Sequence, residues 1–157
     1  MIWFSISALE KAPVRKSGPL PPEFPDLAEG DDFAPAGCGD YELTAAPVSG
    51  GVLVSGSASI PLKSVCGRCL EEITFTLDPG KIHLFFEISP EQEILEIDEE
   101  LRSELLLALP MNPLCSEDCE GLCPVCGTNL NRASCSCVKE DTAPAVSPWS
   151  MLDGLEL

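Results

Sequence analysis

The residues of this 157-residue chain best suited to chemistry are its nine cysteines. Cys66-Gly67-Arg68-Cys69 is a pair with two intervening residues. Downstream come Cys115, Cys119, Cys123, Cys126, Cys135 and Cys137, separated by three, three, two, eight and one residues. A tetrahedral Zn²⁺ takes four thiolates at about 2.3 Å each; one turn can present two sulfurs, and a distant pair can close the site. Eight cysteines make two such sets. The strongest local set is Cys123-Pro124-Val125-Cys126-Gly127 with Cys135-Ser136-Cys137, because the glycine allows backbone amides to point at the thiolates. Cys66 and Cys69 then pair with Cys115 and Cys119, which uses every downstream cysteine without sharing. A rival partition puts Cys115, Cys119, Cys123 and Cys126 in one site and leaves Cys66 and Cys69 to Cys135 and Cys137. Cys38, in Gly37-Cys38-Gly39, has no near partner and reads as a free, inert thiol.

Other thiol chemistries compete with structural zinc. A redox dithiol usually opens a helix after a strand, where the helix dipole lowers one thiol pKa; here the pattern after Cys69 is that of a strand. Catalytic zinc keeps an open coordination position, whereas eight thiols with no ligating histidine favour closed sites. Ligation of iron–sulfur clusters by four cysteines stays open beside zinc, as does plain burial of several thiols. The single histidine, His83, falls in an expected strand with no nucleophile nearby and reads as a packed or edge residue. There is no phosphate-binding loop, dinucleotide fingerprint or nucleophile elbow.

The charge narrows the partners. Nine bases face twenty-six acids, a formal net charge of −17. Such a chain is no general nucleic-acid binder, since neutralising phosphates needs clustered Lys and Arg. Eight thiolates with two divalent ions would make it more negative still. Arg68 and Arg132 sit beside expected ligands, so their expected job is local, offsetting thiolate charge. Acid is densest over residues 91–114, where one base faces seven acids: Glu91, Glu93, Glu96, Asp98, Glu99, Glu100 and Glu104. The plain reading is a solvated helix face with a favourable acidic first turn. The alternative is a docking surface for a basic partner such as a ribosomal protein.

Several elements must position these groups. Ile2 to Ile6 alternates weakly, as a short strand would. Lys11 to Pro35 holds Pro19, Pro21, Pro22 and Pro25 and reads as irregular or extended. Tyr41–Ala46 and Gly51–Leu62 read as strands. In the second, Val52, Val54, Gly56, Ala58 and Ile60 share one face and Ser55, Ser57 and Ser59 the other. Leu43 to Leu62 is long enough to span a bilayer and free of charge, but its prolines, glycines and serines exclude a spanning helix. Glu72–Leu77 and Lys81–Ile88 flank Asp78-Pro79-Gly80 and read as strands with a hairpin-like connection. Ile97, Leu101, Leu105 and Ala108 recur at helical spacing, predicting a helix over 97–109 that starts at the acids and ends at Pro110. Trp149, Leu152 and Leu155 mark a short amphipathic segment in the tail, expected to pack on its own domain. The opening MIWFSISALEK lacks a basic region and an apolar run of useful length, so no secretory signal is expected. A reducing cytoplasm follows, where clustered cysteines point to metal.

The order of elements gives an α+β class: an antiparallel β-rich body with one main helix and a C-terminal cysteine-rich zinc module. The expected organisation is a β-rich domain over residues 1–114, a zinc-binding module over 115–137 and a tail over 138–157.

At its motifs the sequence resembles the YceD family, the large ribosomal RNA subunit accumulation proteins. The resemblance rests on Cys66-Gly67-Arg68-Cys69-Leu70-Glu71 and Leu109-Pro110-Met111-Asn112-Pro113-Leu114-Cys115. It continues through Cys119-Glu120-Gly121-Leu122-Cys123-Pro124-Val125-Cys126-Gly127 and Asn129-Leu130-Asn131 to Cys135 and Cys137. It covers about residues 40–137, with a looser similarity over Phe4 to Pro13. It implies a non-enzymatic factor for accumulation of large-subunit ribosomal RNA and a role in large-subunit assembly. Some relatives lack the last four cysteines but keep the first pair and metal-capable residues near 115 and 119, which supports grouping Cys66, Cys69, Cys115 and Cys119. The tail departs from the family: many relatives have a basic one, whereas Trp149 to Leu157 carries only Asp153 and Glu156.

The expectation is therefore an acidic factor with two structural Zn²⁺, partnered by a basic ribosomal protein or a large-subunit precursor. No membrane and no small-molecule substrate is expected. The alternatives are a thiol–disulfide or metal-dependent enzyme using the CxxC pairs, and a zinc-ribbon RNA binder.

Overall fold

The computed structural model describes residues 1–28, 32–89 and 91–137. It is an α+β structure, rich in antiparallel strands with one main helix. The element that organises it is the strand most legible in the sequence. Gly51–Val65 (β5) keeps its period of two for fifteen residues, so Val52, Val54, Ala58, Ile60 and Leu62 all point into the core. The preceding strand, Gly39–Val48 (β4), pairs with it from Val48↔Gly51 to Asp40↔Ser59 across a two-residue turn at Ser49-Gly50. Gly50 has φ +91°, the left-handed conformation such tight turns favour.

β5 is paired on both sides. Glu72–Leu77 (β6) lies against Ile60 to Val65, and Ile82–Glu87 (β7) lies against Gly51 to Gly56. The Asp78-Pro79-Gly80 connection therefore does not form a hairpin between β6 and β7, as the sequence predicted. It passes the chain from one segment of β5 to another, and the two strands do not pair. The turn chemistry is present, with Gly80 N–H donating to the Asp78 carboxylate at 2.8 Å, but a local turn signal cannot specify which strand its neighbours join. His83 lies exposed on β7, which among the described residues pairs only with β5, and so is an edge residue there.

The proline-rich segment is more ordered than expected. Val14–Leu20 (β2) pairs with β4 over seven residues, and Phe33–Pro35 (β3) pairs with Leu62 to Ser64 of β5. Pro19 is accommodated because β2 is an edge strand and needs no second set of donors. Between these strands the Phe24 carbonyl accepts a bond from Arg102 Nε at 2.9 Å, fastening the segment to the helix.

Trp3–Ser5 (β1) is the expected N-terminal strand. It is followed by a short helix, Ile6–Leu9 (α1), and pairs with Ile94–Glu96 (β8), neither of which has a clear sequence signal. The main helix, Asp98–Leu107 (α2), buries Leu101 and Leu105 in a core shared with Phe4, Leu43, Ile60, Ile82, Leu95 and Ile97. Asp98, Glu99 and Glu100 occupy its first turn as predicted, and Asp98 accepts the Ile2 N–H at 2.7 Å. None of the helices among the described residues is long and apolar enough to cross a membrane. The tail with Trp149, Leu152 and Leu155 lies outside the described residues.

Candidate metal centres

The first pair of thiols sits where β5 turns into β6. Val65 pairs with Glu72, so Cys66-Gly67-Arg68-Cys69-Leu70-Glu71 is the whole loop. Two backbone bonds shape it: Cys66 N–H to Glu71 O at 2.9 Å and Leu70 N–H to Cys66 O at 3.0 Å. Leu70 takes φ +58° to complete the turn. The loop is capped by the segment after α2. Gly67 N–H donates to Pro113 O at 2.9 Å, and a Cβ at Gly67 would run into the Asn112 side chain. The proline-flanked stretch between helix and cysteines thus delivers Cys115 and Cys119 onto the hairpin tip.

Cys66, Cys69, Cys115 and Cys119 meet there, their sulfurs within 4.8 Å of one another. Cys66 and Cys119 are 3.8 Å apart and Cys69 and Cys115 are 3.7 Å apart. A disulfide would need about 2.05 Å. A tetrahedron of thiolates about 2.3 Å from a central ion has edges of about 3.8 Å, so the separations fit a tetrathiolate metal centre. Cys66, Cys69 and Cys119 are buried and Cys115 is exposed. Arg68 bonds backbone carbonyls within residues 115–119. Its guanidinium donates to the carbonyls of Cys119 at 2.9 Å and Glu117 at 3.2 Å, tying the second pair to the first.

The second group is Cys123, Cys126, Cys135 and Cys137, again with all sulfurs within 4.8 Å. Cys123 N–H donates to Thr128 O at 2.8 Å, Gly127 N–H donates to Cys123 O at 2.9 Å, and Gly127 has φ +71°. A bridge between Leu122 and Asn129 closes the loop. Cys126 and the Thr128 hydroxyl are 3.1 Å apart. The structure thus gathers the eight thiols as four and four, and the rival grouping of Cys115 and Cys119 with Cys123 and Cys126 is not the one it assembles. Cys38 is exposed and belongs to neither group.

The electrostatics favour a cation in each group. The Cys69 backbone amide aims at Cys66 and, against the opposing effect of burial, lowers its thiol to about 6. The Thr128 hydroxyl and amide lower Cys126 to about 6. Their companions move the other way. The Glu71 amide favours the Cys69 thiolate, but burial and the neighbouring sulfurs push it up to about 12. Cys137 is pushed up to about 12 by Cys126 and by burial. In the first group the thiolate is favoured at Cys66 and disfavoured at Cys69 and Cys115; in the second it is favoured at Cys123 and Cys126 and disfavoured at Cys135 and Cys137, because adjacent thiolates repel one another. A divalent ion removes that repulsion and takes all four sulfurs as thiolates. The donor set is soft and closed, suited to zinc or to iron–sulfur ligation.

Sequence reading assigned Asn129 and Asn131 no contact, and it expected Arg132 to act beside the thiolates, whereas Arg132 pairs with a carboxylate. Asn129 Nδ2 donates to Glu71 at 2.9 Å and Arg132 pairs with Glu71 at 2.7 Å, so the loop of the second group grips the residue that closes the first loop. Asn131 Nδ2 donates to the Cys119 sulfur at 3.3 Å. Nothing in an Asn-Leu-Asn run by itself names a sulfur or a carboxylate as its partner.

Comparison with known proteins follows the cysteines in part. The family model described as large ribosomal RNA subunit accumulation protein YceD matches residues 80–156. The match takes in Cys115 to Cys137 but starts after Cys66 and Cys69, later than the resemblance over residues 40–137. An uncharacterized protein of Mycobacterium tuberculosis is 31% identical over 105 residues, 58% of this chain and 51% of that protein. One from Mycobacterium leprae is 28% identical over 105 residues, 58% of this chain and 48% of that protein. The chloroplastic large ribosomal RNA subunit accumulation protein YCED homolog 1 of Arabidopsis thaliana is 30% identical over 63 residues, 40% of this chain and 20% of that protein. The chain spans about half the length of the mycobacterial relatives and a fifth of the plant one. No solved structure matches.

Proposed function

Because this chain belongs to the YceD family, we propose that it is a non-enzymatic factor for large ribosomal subunit biogenesis and rRNA accumulation, with structural zinc in both thiol groups. The single observation that carries the metal reading is the closure of each group. Four protein sulfurs saturate a tetrahedral ion and leave no position for water or substrate. The same closure argues against a dithiol enzyme: Cys66 is fully buried, and its pair sits in a hairpin loop instead of at a helix N-terminus. In this reading the module of residues 115–137 is folded by its ions onto the β-rich domain of residues 1–114.

The partner we propose is a basic protein, such as a ribosomal protein or a precursor particle that carries one. Glu91, Glu93, Glu96, Glu99 and Glu100 are exposed along β8 and the start of α2. Their field would attract and solubilise a strongly basic chain, whereas −17 disfavours direct contact with rRNA phosphates. Native mass spectrometry with element analysis, on protein purified at low salt, tests the proposal. Two zinc ions per chain and a retained basic ribosomal protein are expected. A metal-free chain with one fast-reacting dithiol would replace this reading with the enzyme. Retained RNA, lost steeply as salt is raised, would replace it with the RNA binder.

A further inference from the structure

We infer that the two thiol centres bind metal cooperatively, and that Asn131 is the positioning residue that couples them. The inference rests on the reading of both groups as metal centres. Asn131 lies between Cys126 and Cys135, inside the loop that the second centre closes, yet its amide nitrogen bonds Cys119 of the first centre at 3.3 Å. Its other end is spoken for: Asn131 Oδ1 accepts the Glu120 N–H at 2.8 Å, one residue beyond Cys119. Asn129 sets its orientation, with Oδ1 accepting from Asn131 N at 3.0 Å and from Asn131 Nδ2 at 2.9 Å. Asn129 itself is held by the bridge to Leu122 at the foot of the second knuckle. Glu71 completes the clasp from the other side. Its carbonyl shapes the first knuckle, and its carboxylate takes both Asn129 and Arg132.

The consequence is thermodynamic. A hydrogen bond to a metal-bound thiolate withdraws charge and orients the sulfur, and partners of this kind are typically worth 10- to 100-fold in metal affinity. Asn131 can supply that bond only while residues 127–132 hold their turn. The turn is fixed at one end by Cys123 and Cys126 and at the other by Cys135 and Cys137. Filling the second centre therefore prepays the ordering of a donor to the first. Coupling of binding free energies is reciprocal, so filling the first must raise the affinity of the second by the same factor.

The test uses the full reduced chain, stripped of metal and titrated with zinc against a chromophoric chelator. Native mass spectrometry counts chains with no, one and two ions. Cooperative filling, with the one-ion species depleted, is expected for the wild type. Asn131 is exposed, so Asn131→Ala should fold; it should restore a substantial one-ion population and weaken the first centre about tenfold. The double variant Cys135→Ser/Cys137→Ser should weaken the first centre to a similar extent, and adding Asn131→Ala to it should change little further. With both centres loaded with cobalt(II), Asn131→Ala should shift the sulfur-to-metal charge-transfer band of one ion equivalent and leave the other in place. Independent filling in the wild type, or an unchanged first-centre affinity in the double variant, overturns the inference and leaves two zinc centres standing. A wild-type chain that binds no zinc overturns the inference together with the reading beneath it.

Discussion

The two knuckles have the same backbone and different surroundings. Each has a first cysteine whose N–H bonds the carbonyl five residues on and whose carbonyl accepts the N–H four residues on. Each is closed by a strand-like pair at the same offset, Val65↔Glu72 in one and Leu122↔Asn129 in the other. Yet the first grows from the longest strand in the molecule, under a cap of Asn112 and Pro113, and its cysteines are 0% and 4% exposed. The second projects from a loop, and Cys126 is exposed. The position after the second cysteine is also treated differently. Gly127 takes its positive φ without a side chain, whereas Leu70 takes φ +58° with one that is 64% exposed. Hydrogen bonding along a six-residue loop is enough to bring two sulfurs to one side of it. Burial, the companion pair and tolerance of strain come from what the loop is attached to.

The comparison can be broken by exchanging features between the knuckles. Cys66→Ser should have the largest effect. It removes a ligand and leaves a hydroxyl in a fully buried place, and stability in urea should fall by at least about 2 kcal/mol. Cys126→Ser should lose one metal ion with a clearly smaller shift of the urea midpoint. Equal shifts would show that burial does not separate the knuckles. Gly127→Leu, which gives the second knuckle the side chain of the first, should cost about 1–2 kcal/mol because a side chain in the left-handed region crowds the following carbonyl. Reduced zinc affinity of the Cys123 centre at unchanged affinity of the Cys66 centre would register it.

Metal removal should sharpen the difference in access. Under excess chelator with an alkylating reagent, peptide-resolved mass spectrometry should find Cys126 labelled about tenfold faster than Cys66, since labelling follows exposure and thiolate character. Cys38 should be labelled even before chelator is added, being exposed and outside both groups. The smallest effect is expected for Leu70→Gly. Relief of the left-handed strain is partly offset by the greater freedom of glycine in the unfolded chain, for a net gain of roughly 0.5 kcal/mol in thermal stability. A loss there would mean that the exposed Leu70 side chain packs more than its surroundings indicate.

Much of the fold could be read without coordinates where one residue pattern had one physical meaning. The alternation from Val52 to Ile60 requires a half-buried strand, and Ile97, Leu101 and Leu105 require a helix face, because only those periods put apolar groups on one side. Where the pattern was ambiguous, the pairing decided. Val14–Leu20 carries the irregular signal of Gly18 and Pro19 inside a real edge strand, and β1 with β8 are three residues each, too short for a period to show. The Asp78-Pro79-Gly80 turn was legible as a turn but not as a bridge between two segments of β5.

At the site, the sequence by itself determined the chemistry: paired cysteines two residues apart, a glycine after the second knuckle, and enough thiols for two closed sets. Those properties follow from covalent spacing and local backbone freedom, and they survive without knowledge of the fold. Only the tertiary structure decided which pairs share a centre, that Asn112 and Pro113 seat the first knuckle, and that Asn129, Asn131 and Arg132 reach across to Glu71 and Cys119. The contacts to Glu71 and between the two halves of the first group join residues some fifty to sixty positions apart; they depend on how the sheet turns and where the helix ends, and no local pattern of side chains encodes them.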